Sequence, residues 1–182
     1  GLAMVERGGL TVMTSLDLNT QEMAEEIVRN QVDSSAYLNL TNGGTLITIP
    51  KTGEVLAMVG SKNYDDGNGG NYNVTTALRQ PGSSIKPVTY ADALSKGFTS
   101  ATTIIDSPIT FRSDGGPSYS PVNYDSKFHG ILTLRQALGN SINIPAVKLL
   151  NAVGVSSMVD LGKKMGISTW NEPERYGLAI TL

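Results

Sequence analysis

The chain has 182 residues, of which 40% are hydrophobic and 16% charged, so it can bury a substantial core. A net charge of −2 gives no electrostatic support for nucleic-acid binding. The absence of cysteine excludes disulfides and thiolate metal sites, a single histidine excludes a histidine-rich metal cluster, and no cofactor is expected.

The N-terminal part predicts one strand and one helix. Residues 1–9 show no clear pattern and are interpreted as a linker. Residues 11–16 are apolar and β-branched, which predicts a strand. Asn19, followed three residues later by Glu22, predicts a helix start, and apolar residues at helical spacing carry this helix to about Val32.

A β-hairpin is predicted next. Residues 45–49 and 54–59 predict two strands, and Pro50-Lys51-Thr52-Gly53 predicts the turn between them. The second strand is apolar on both faces, which indicates a central place in a sheet covered on both sides. Residues 60–73 predict a loop, and its acidic residues lack the spacing of an EF-hand calcium site.

The rest of the chain predicts mainly helices. Residues 98–130 predict an irregular region with a short strand at 109–112. The expected helices begin at Ser83, Thr133, Pro145 and Ser156 or Ser157, and they end near Gly97, Gly139, Gly154 and Gly166. This order of elements indicates an α+β fold, with an antiparallel sheet and helices packed on it.

The stretch from Arg79 to Pro87 carries a serine and a lysine on one face of a predicted helix start, Ser83 and Lys86. A serine hydroxyl is a poor nucleophile until a neighbouring base takes its proton. A lysine can be that base only if burial or positive neighbours lower its pKa toward neutrality. The helix N-terminus also offers backbone N–H groups to a developing oxyanion.

A second motif, Ser141-Ile142-Asn143, lies in the turn after a predicted helix. A second hydroxyl can relay protons, and an asparagine amide can hold a lysine and a substrate carbonyl at once. The Ser83–Lys86 motif alone also fits a serine cap followed by a solvated lysine. The two motifs together are much more specific, because penicillin-binding proteins and class A β-lactamases share this set.

Over nearly its whole length the sequence resembles the transpeptidase domain of class A (bifunctional) penicillin-binding proteins. The shared stretches are residues 9–12, 15–17, 51–60, 79–87, 121–125, 128–130, 133–138 and 141–143. The resemblance implies a penicillin-binding-protein/β-lactamase-like fold, with residues 10–182 as the N-terminal and central part of the domain. It implies Ser83 as the nucleophile, Lys86 as its base, Ser141 as the proton shuttle and Asn143 as the residue that positions Lys86 and the substrate.

The activity implied by the resemblance is peptidoglycan D,D-transpeptidation. A serine attacks the D-Ala-D-Ala end of a stem peptide, and an amine from a neighbouring strand resolves the acyl-enzyme; β-lactam antibiotics acylate the same serine. The parent protein is expected at the extracytoplasmic face of the bacterial membrane, anchored there and with a glycosyltransferase domain upstream. No apolar run in this chain itself approaches the ~20 residues that span a bilayer.

The third motif of that family, Lys-Thr-Gly, follows the Ser-x-Asn motif. The only such triplet here is Lys51-Thr52-Gly53, which precedes Ser83 and is interpreted as a hairpin turn. The chain is therefore expected to be a fragment that is inactive by itself. It is expected either to fold poorly alone or to complete its sheet with a further C-terminal chain.

Other functions stay open at this point. A serine β-lactamase-like hydrolase needs a carboxylate base, and Glu172 and Glu174 follow the second motif in a polar stretch. A Ser-His-Asp hydrolase would use His129, but no Gly-x-Ser-x-Gly elbow surrounds Ser83, so His129 is interpreted as a structural or rim residue. A non-catalytic penicillin-binding or sensor domain is the third alternative.

Overall fold

A computed structural model describes residues 2–67, 69–112 and 118–182. Residues 68 and 113–117, which fall in the two predicted loop regions, lie outside the described residues. The chain divides into two compact units, residues 1–79 and residues 80–182. The helices are α1 (Leu2–Arg7), α2 (Leu18–Ser34), α3 (Lys86–Ser95), α4 (Leu134–Gly139), α5 (Asn143–Val153) and α6 (Val155–Lys164). The strands are β1 (Thr45–Thr48), β2 (Val55–Val59), β3 (Thr103–Asp106) and β4 (Gly130–Thr133).

The first unit contains the predicted hairpin. Strands β1 and β2 pair antiparallel, and Lys51, Thr52 and Gly53 form the turn between them. The N–H groups of Thr52 and Gly53 both donate to the carbonyl of Ile49, at 3.2 and 2.8 Å. Gly53 has φ +77°, a left-handed conformation that glycine adopts without a Cβ clash. The interpretation of Lys51-Thr52-Gly53 as a hairpin turn is confirmed.

Helix α2 packs on this hairpin and supplies three of the five buried residues of a small core. The buried residues of this core are Ala24, Val28, Val32, Ala57 and Val59. Spacing of four residues places the three α2 members on one helical face. The apolar side of α2 therefore covers one face of the hairpin.

The N-cap of α2 was predicted two residues too late. The cap is Asp17, whose carboxylate accepts from the backbone N–H of Thr20 at 2.8 Å, and Asn19 lies inside the helix. An aspartate at this position satisfies one of the N–H groups that a helix start leaves without a partner. The helix then continues to Ser34, two residues beyond the predicted end.

Residues 1–9 include the short helix α1, and their interpretation as a linker stays a prediction. Two other predictions for the first unit are wrong. Residues 11–16 form no strand, because no ladder of backbone bonds forms there, and the Met13 side chain is 95% exposed. Strand β2 is not covered on both faces, since Met58 is 37% exposed. An apolar composition permits burial on both faces but does not supply the covering elements.

The second unit is organised around α5, which is buried along most of its length. Its fully buried side chains include Ile144, Val147, Leu149 and Leu150. Helices α3, α4 and α6 and strand β3 all pack against it. Complete burial of each large aliphatic side chain contributes about 1.5–3 kcal/mol. Helix α5 thus forms the support on which the neighbouring helix ends are positioned.

The helix boundaries in this unit follow the predicted signals only in part. Thr133 caps α4 in a capping box with Gln136, and Gly154 ends α5 with φ +93°, as expected. Neither Ser156 nor Ser157 caps α6, which already begins at Val155. The Ser157 hydroxyl instead donates to the buried Asp92 carboxylate at 2.9 Å.

The β3–β4 pair was not predicted. The prediction placed a strand at 109–112, where the structure has only a single bridge between Phe111 and Tyr119. Strand β3 has four residues and pairs with a segment far along the chain, so its stability comes from a contact that local pattern does not encode. The α+β expectation is confirmed, but as helices with two separate two-stranded antiparallel sheets among the described residues.

Among the described residues, no single helix has both the length and the apolar composition to cross a membrane. Helices α5 and α6 meet those two requirements only when they are taken together across a 93° bend.

Candidate active site

Ser83 lies in a 3₁₀ turn, Gly82–Ile85, that leads directly into α3. Gly82 has φ +56°, a left-handed conformation that glycine tolerates. Ser83 was predicted to begin and cap this helix, but α3 begins only at Lys86 and no side chain caps it. The Ser83 side chain is exposed, and its hydroxyl makes no hydrogen bond with any described residue. This hydroxyl is therefore free to meet a ligand.

The amine of Lys86 is buried without a counter-ion among the described residues. The residue is 1% exposed, and no described carboxylate lies within ion-pair distance of it. Its Nζ donates to the Ser141 carbonyl at 2.6 Å, the Asn143 Oδ1 at 2.7 Å and the Ser141 Oγ at 3.1 Å. Burial lowers the pKa of Lys86 from 10.5 to about 8.

The three partners of Lys86 accommodate either protonation state of the amine. A charged ammonium has three N–H donors, which matches the three acceptors around it. A neutral amine has two donors and one lone pair. The Ser141 carbonyl and the Asn143 Oδ1 can only accept, so they keep the hydrogen bonds from the two N–H groups of the amine. The Ser141 hydroxyl can rotate and donate to the lone pair of the amine. Loss of the proton therefore leaves no partner of Lys86 unsatisfied.

Ser141 holds a strained position at the end of α4. The N–H groups of Ser141 and Ile142 donate to the carbonyls of Leu138 and Ala137, both at 2.9 Å, which is the Schellman pattern of a helix end. The left-handed residue of that motif is usually glycine, but here it is Ser141, with φ +53°. Such a conformation costs about 1–3 kcal/mol for a residue other than glycine, and such residues cluster at functional sites.

Asn143 is the first residue of α5, and both ends of its amide are engaged. Its Nδ2 donates to the Val122 carbonyl at 3.0 Å, while its Oδ1 accepts from Lys86. The short turn between α4 and α5 thus brings the Ser141 carbonyl, the Ser141 hydroxyl and the Asn143 amide to the same amine.

Three of the four predicted site residues are in direct contact, namely Lys86, Ser141 and Asn143. Ser83 lies one turn before Lys86 but makes no hydrogen bond with it, so its role remains a prediction. Sequence reasoning assigned no role to Asn123, whose Oδ1 accepts from the Asn143 N–H at 3.1 Å. An asparagine within the shared stretch 121–125, in a region without regular structure, was the available signal.

His129 is engaged by two carboxylates and makes no hydrogen bond with Ser83. Its Nδ1 lies 2.6 Å from the buried Asp106 carboxylate, and its Nε2 lies 3.2 Å from that of Asp125. The hydrogen bond with Asp106 is the main cause that raises the pKa of His129, partly opposed by desolvation, and the Asp125 charge raises it further. These contacts favour a structural role.

Replacing His129 by glutamine is expected to keep penicillin acylation within roughly tenfold of wild type, because the ring contacts Asp106 rather than Ser83 and Asp106 keeps its two hydrogen bonds from Asn123. It should lower thermal stability. A raised folded-state pKa adds stability that is fully present below the unfolded pKa of about 6.5 and is lost as the pH rises through the folded pKa. The stability difference between wild type and variant should therefore shrink with rising pH. A folded variant that no longer reacts with penicillin would instead support a Ser-His-Asp mechanism.

The carboxylates that could serve a hydrolase lie apart from this cluster. Glu172 forms an exposed ion pair with Arg175, and Glu174 is exposed. Neither makes a hydrogen bond with Lys86 or its partners. Within the part of the chain that the structure describes, no group of three or more His, Asp or Glu side chains could hold a metal ion.

Comparison with known proteins identifies the family. A family profile described as the penicillin binding protein transpeptidase domain matches residues 43–178. Penicillin-binding protein 1A of Aquifex aeolicus is 44% identical over 140 residues, which cover 75% of this chain and 19% of that protein. Penicillin-binding protein 2D of Bacillus subtilis is 36% identical over 167 residues, or 90% of this chain and 23% of that protein.

Solved structures agree with this assignment. The crystal structure of penicillin-binding protein 1A from Haemophilus influenzae matches with a TM-score of 0.67 and 30% identity, over 76% of this chain and 20% of that one. The penicillin-binding protein PonA1 of Mycobacterium tuberculosis shares the fold, with a TM-score of 0.72, 22% identity, and coverage of 92% of this chain and 41% of that one. The chain spans about a fifth of the length of the curated relatives it matches. It belongs to the family of penicillin-binding protein transpeptidase domains, and within that family to the class A type.

Proposed function

We propose that this chain carries the acylating part of the active site of a peptidoglycan D,D-transpeptidase. The Ser83 oxygen attacks the carbonyl carbon of the D-Ala-D-Ala bond while Lys86 takes the hydroxyl proton. The amide bond breaks, and the terminal D-Ala leaves with a proton relayed through Ser141. An amine of a neighbouring strand then attacks the ester carbonyl carbon and forms the cross-link. The bond from that carbon to the Ser83 oxygen breaks, and a proton released by the amine restores the Ser83 hydroxyl.

The observation that supports this proposal is the buried amine of Lys86, which has a pKa of about 8 and pairs with no carboxylate that the structure describes. A base works best when its pKa lies near the working pH, and a solvated lysine, with a pKa of 10.5, does not meet that condition. A serine cap followed by a solvated lysine would leave the amine exposed, whereas Lys86 is 1% exposed.

The carbonyl of the substrate is polarised at the start of α3. The backbone N–H of Ser83 provides one donor to the oxyanion, and the positive end of the helix lies beside it. Asn143 holds Lys86 through its Oδ1 and so fixes the direction of the amine. Ser141, as both donor and acceptor, is the group beside Lys86 that can pass a proton on.

Substrates, inhibitors and location follow from the same proposal. The names of the relatives state that they bind penicillin, and we assign the same binding to this chain, with β-lactams acylating Ser83. The substrate class is the D-Ala-D-Ala stem peptide. Because the relatives are about five times longer, the membrane anchor, the glycosyltransferase domain and the extracytoplasmic location are assigned to the complete protein.

Mass spectrometry of the complete protein after incubation with benzylpenicillin tests the proposal. We expect one adduct of the intact antibiotic mass, since ring opening adds the whole molecule, on the peptide that contains Ser83. The adduct should persist for many minutes. Rapid return to the free enzyme with hydrolysed penicillin would identify a β-lactamase instead. No adduct, together with reversible penicillin binding, would identify a sensor domain.

A further inference from the structure

The side chain of Asn123 is buried and fully engaged, yet the proposed reaction assigns it no part. The residue is 4% exposed. Its Nδ2 donates to both carboxylate oxygens of Asp106, at 2.9 and 2.8 Å, and to the Lys127 carbonyl at 2.7 Å. Its Oδ1 accepts from the backbone N–H groups of Asn143 and Ile144, each at 3.1 Å.

Asp106 decides which way the Asn123 amide points. An ionised carboxylate can only accept hydrogen bonds, so the amide must present its NH₂ to Asp106 and its oxygen to α5. Asp106 is itself 1% exposed, and burial alone would raise its pKa. The hydrogen bonds from Asn123 and His129 outweigh that effect and lower the pKa, so the carboxylate stays ionised.

The oxygen of Asn123 supplies the cap that α5 lacks locally. The residue before this helix, Ile142, has no side chain that can cap it, and the first N–H groups of a helix have no partner within the helix. Asn123 satisfies two of them from a distant part of the chain. The neighbouring Val122 carbonyl accepts from the Asn143 side chain at 3.0 Å. Backbone and side chain of Asn143 are therefore held by one short segment.

We propose that Asp106 and Asn123 are positioning residues for the acylation step, which they serve by fixing the Asn143 amide and the start of α5 against Lys86. This inference rests on the proposed function. The chain of contacts runs from Asp106 through Asn123 to Asn143 and then to the Lys86 amine. Loss of Asp106 or Asn123 lets the 141–143 turn loosen and admits water to Lys86. The desolvation that lowers the pKa of Lys86 is then weaker.

The test is the rate of penicillin acylation of the complete protein as a function of pH, measured for Asn123→Ala well below its melting temperature. Removal of a hydrogen-bond partner that orients a metal ligand typically lowers activity about 10–100-fold, which sets the scale for a partner that orients Asn143. We expect a loss of that size at neutral pH, with the apparent pKa of the rate profile moved upward. A role in stability alone would lower the melting temperature but leave the rate and its pH profile unchanged, and that result would overturn the proposal.

Three further variants keep the test decisive if Asn123→Ala does not fold. Asp106→Asn preserves shape but lets the Asn123 amide turn over, so it should slow acylation. Asn123→Asp alone sets two carboxylates against each other, whereas the double variant with Asp106→Asn restores a donor facing an acceptor. The double variant should acylate faster than Asn123→Asp. Equal rates in the two would contradict the proposed orientation.

Lys148→Met is the matched control. The Lys148 amine joins α5 to the same region by hydrogen bonds with the Ile105 carbonyl, at 2.7 Å, and the Ser107 hydroxyl, at 3.0 Å, but it contacts neither Asn123 nor Asn143. The acylation rate of Lys148→Met should match that of wild type. If wild type itself forms no adduct at Ser83, the proposed function fails. If wild type reacts and Asn123→Ala reacts equally fast, only the positioning role fails.

Discussion

Ser83→Ala in the complete protein is expected to abolish covalent labelling by a fluorescent penicillin. The acyl-enzyme needs an oxygen that leaves its proton and bonds to the β-lactam carbonyl, and alanine has none. The Ser83 hydroxyl is exposed and unengaged, so its removal breaks no internal hydrogen bond and should leave the melting temperature nearly unchanged. Gel fluorescence after a fixed incubation measures the labelling.

Ser84→Ala is the control for that experiment. Ser84 lies in the same 3₁₀ turn, but its hydroxyl donates to the Pro81 carbonyl at 2.6 Å and is thereby occupied. This variant should retain labelling, with a modest loss of stability from the lost turn bond. Labelling that survives in Ser83→Ala but disappears in Ser84→Ala would move the nucleophile by one residue and would separate it from Lys86.

Lys86→Met is expected to slow acylation by about 10²–10⁴-fold, the usual contribution of a positioned general base. Methionine has nearly the length of lysine but cannot accept a proton. It also leaves the Ser141 carbonyl and the Asn143 Oδ1 without their donor, so the melting temperature must be measured beside the rate. Rates of penicillin acylation in the folded variant provide the measurement.

The same role for Lys86 predicts the pH dependence of wild type. Only the neutral amine can take the Ser83 proton, and with a pKa of about 8 roughly a tenth of it is neutral at pH 7. The rate should therefore rise with pH and level off above about 8. A folded-state pKa below the unfolded value of 10.5 also means that the unfolded chain binds more protons between these values. The cost of burying the charged amine is therefore fully present below about pH 8, and the free energy of unfolding should rise as that cost is relieved between about pH 8 and 10.5.

Lys96→Met provides the comparison for Lys86→Met. Lys96 follows α3 directly, and its amine contacts Asp92 at 3.3 Å and the Val153 carbonyl at 2.6 Å, away from the Ser141–Asn143 turn. Its loss should lower stability without changing the acylation rate. An acylation rate in Lys86→Met close to that of wild type, or a wild-type rate that is flat from pH 6 to 9, would rule out Lys86 as the base.

Features that depend on neighbours in sequence could be predicted from sequence. The hairpin turn at Lys51-Thr52-Gly53 and the capping box of Thr133 and Gln136 are set by residues within a few positions of one another. Ser83 and Lys86 share one turn, so their proximity follows from helical geometry. The family resemblance added the link to Ser141 and Asn143, which chain order alone does not reveal.

Features that depend on partners far along the chain could not be predicted from sequence. The four-residue strand β3 has too short a pattern to identify, and it is stabilised by pairing with β4 far along the chain. The choice of Asp17 rather than Asn19 as a cap depends on where the helix begins within a segment that contains both. Asn123 caps α5 from twenty residues away, a contact that no local rule anticipates.

The order of residues is sufficient to place a serine and a lysine one helical turn apart, because backbone geometry over so few residues is nearly independent of the rest of the fold. It does not say whether that lysine is a solvated cation or a base. Packing of α3 against α5 and the turn before it removes Lys86 from water and surrounds it with oxygen acceptors, none of which, in the part of the chain that the structure describes, is a carboxylate. Burial is a property of the assembled core, and it is burial that lowers the pKa of this amine to about 8.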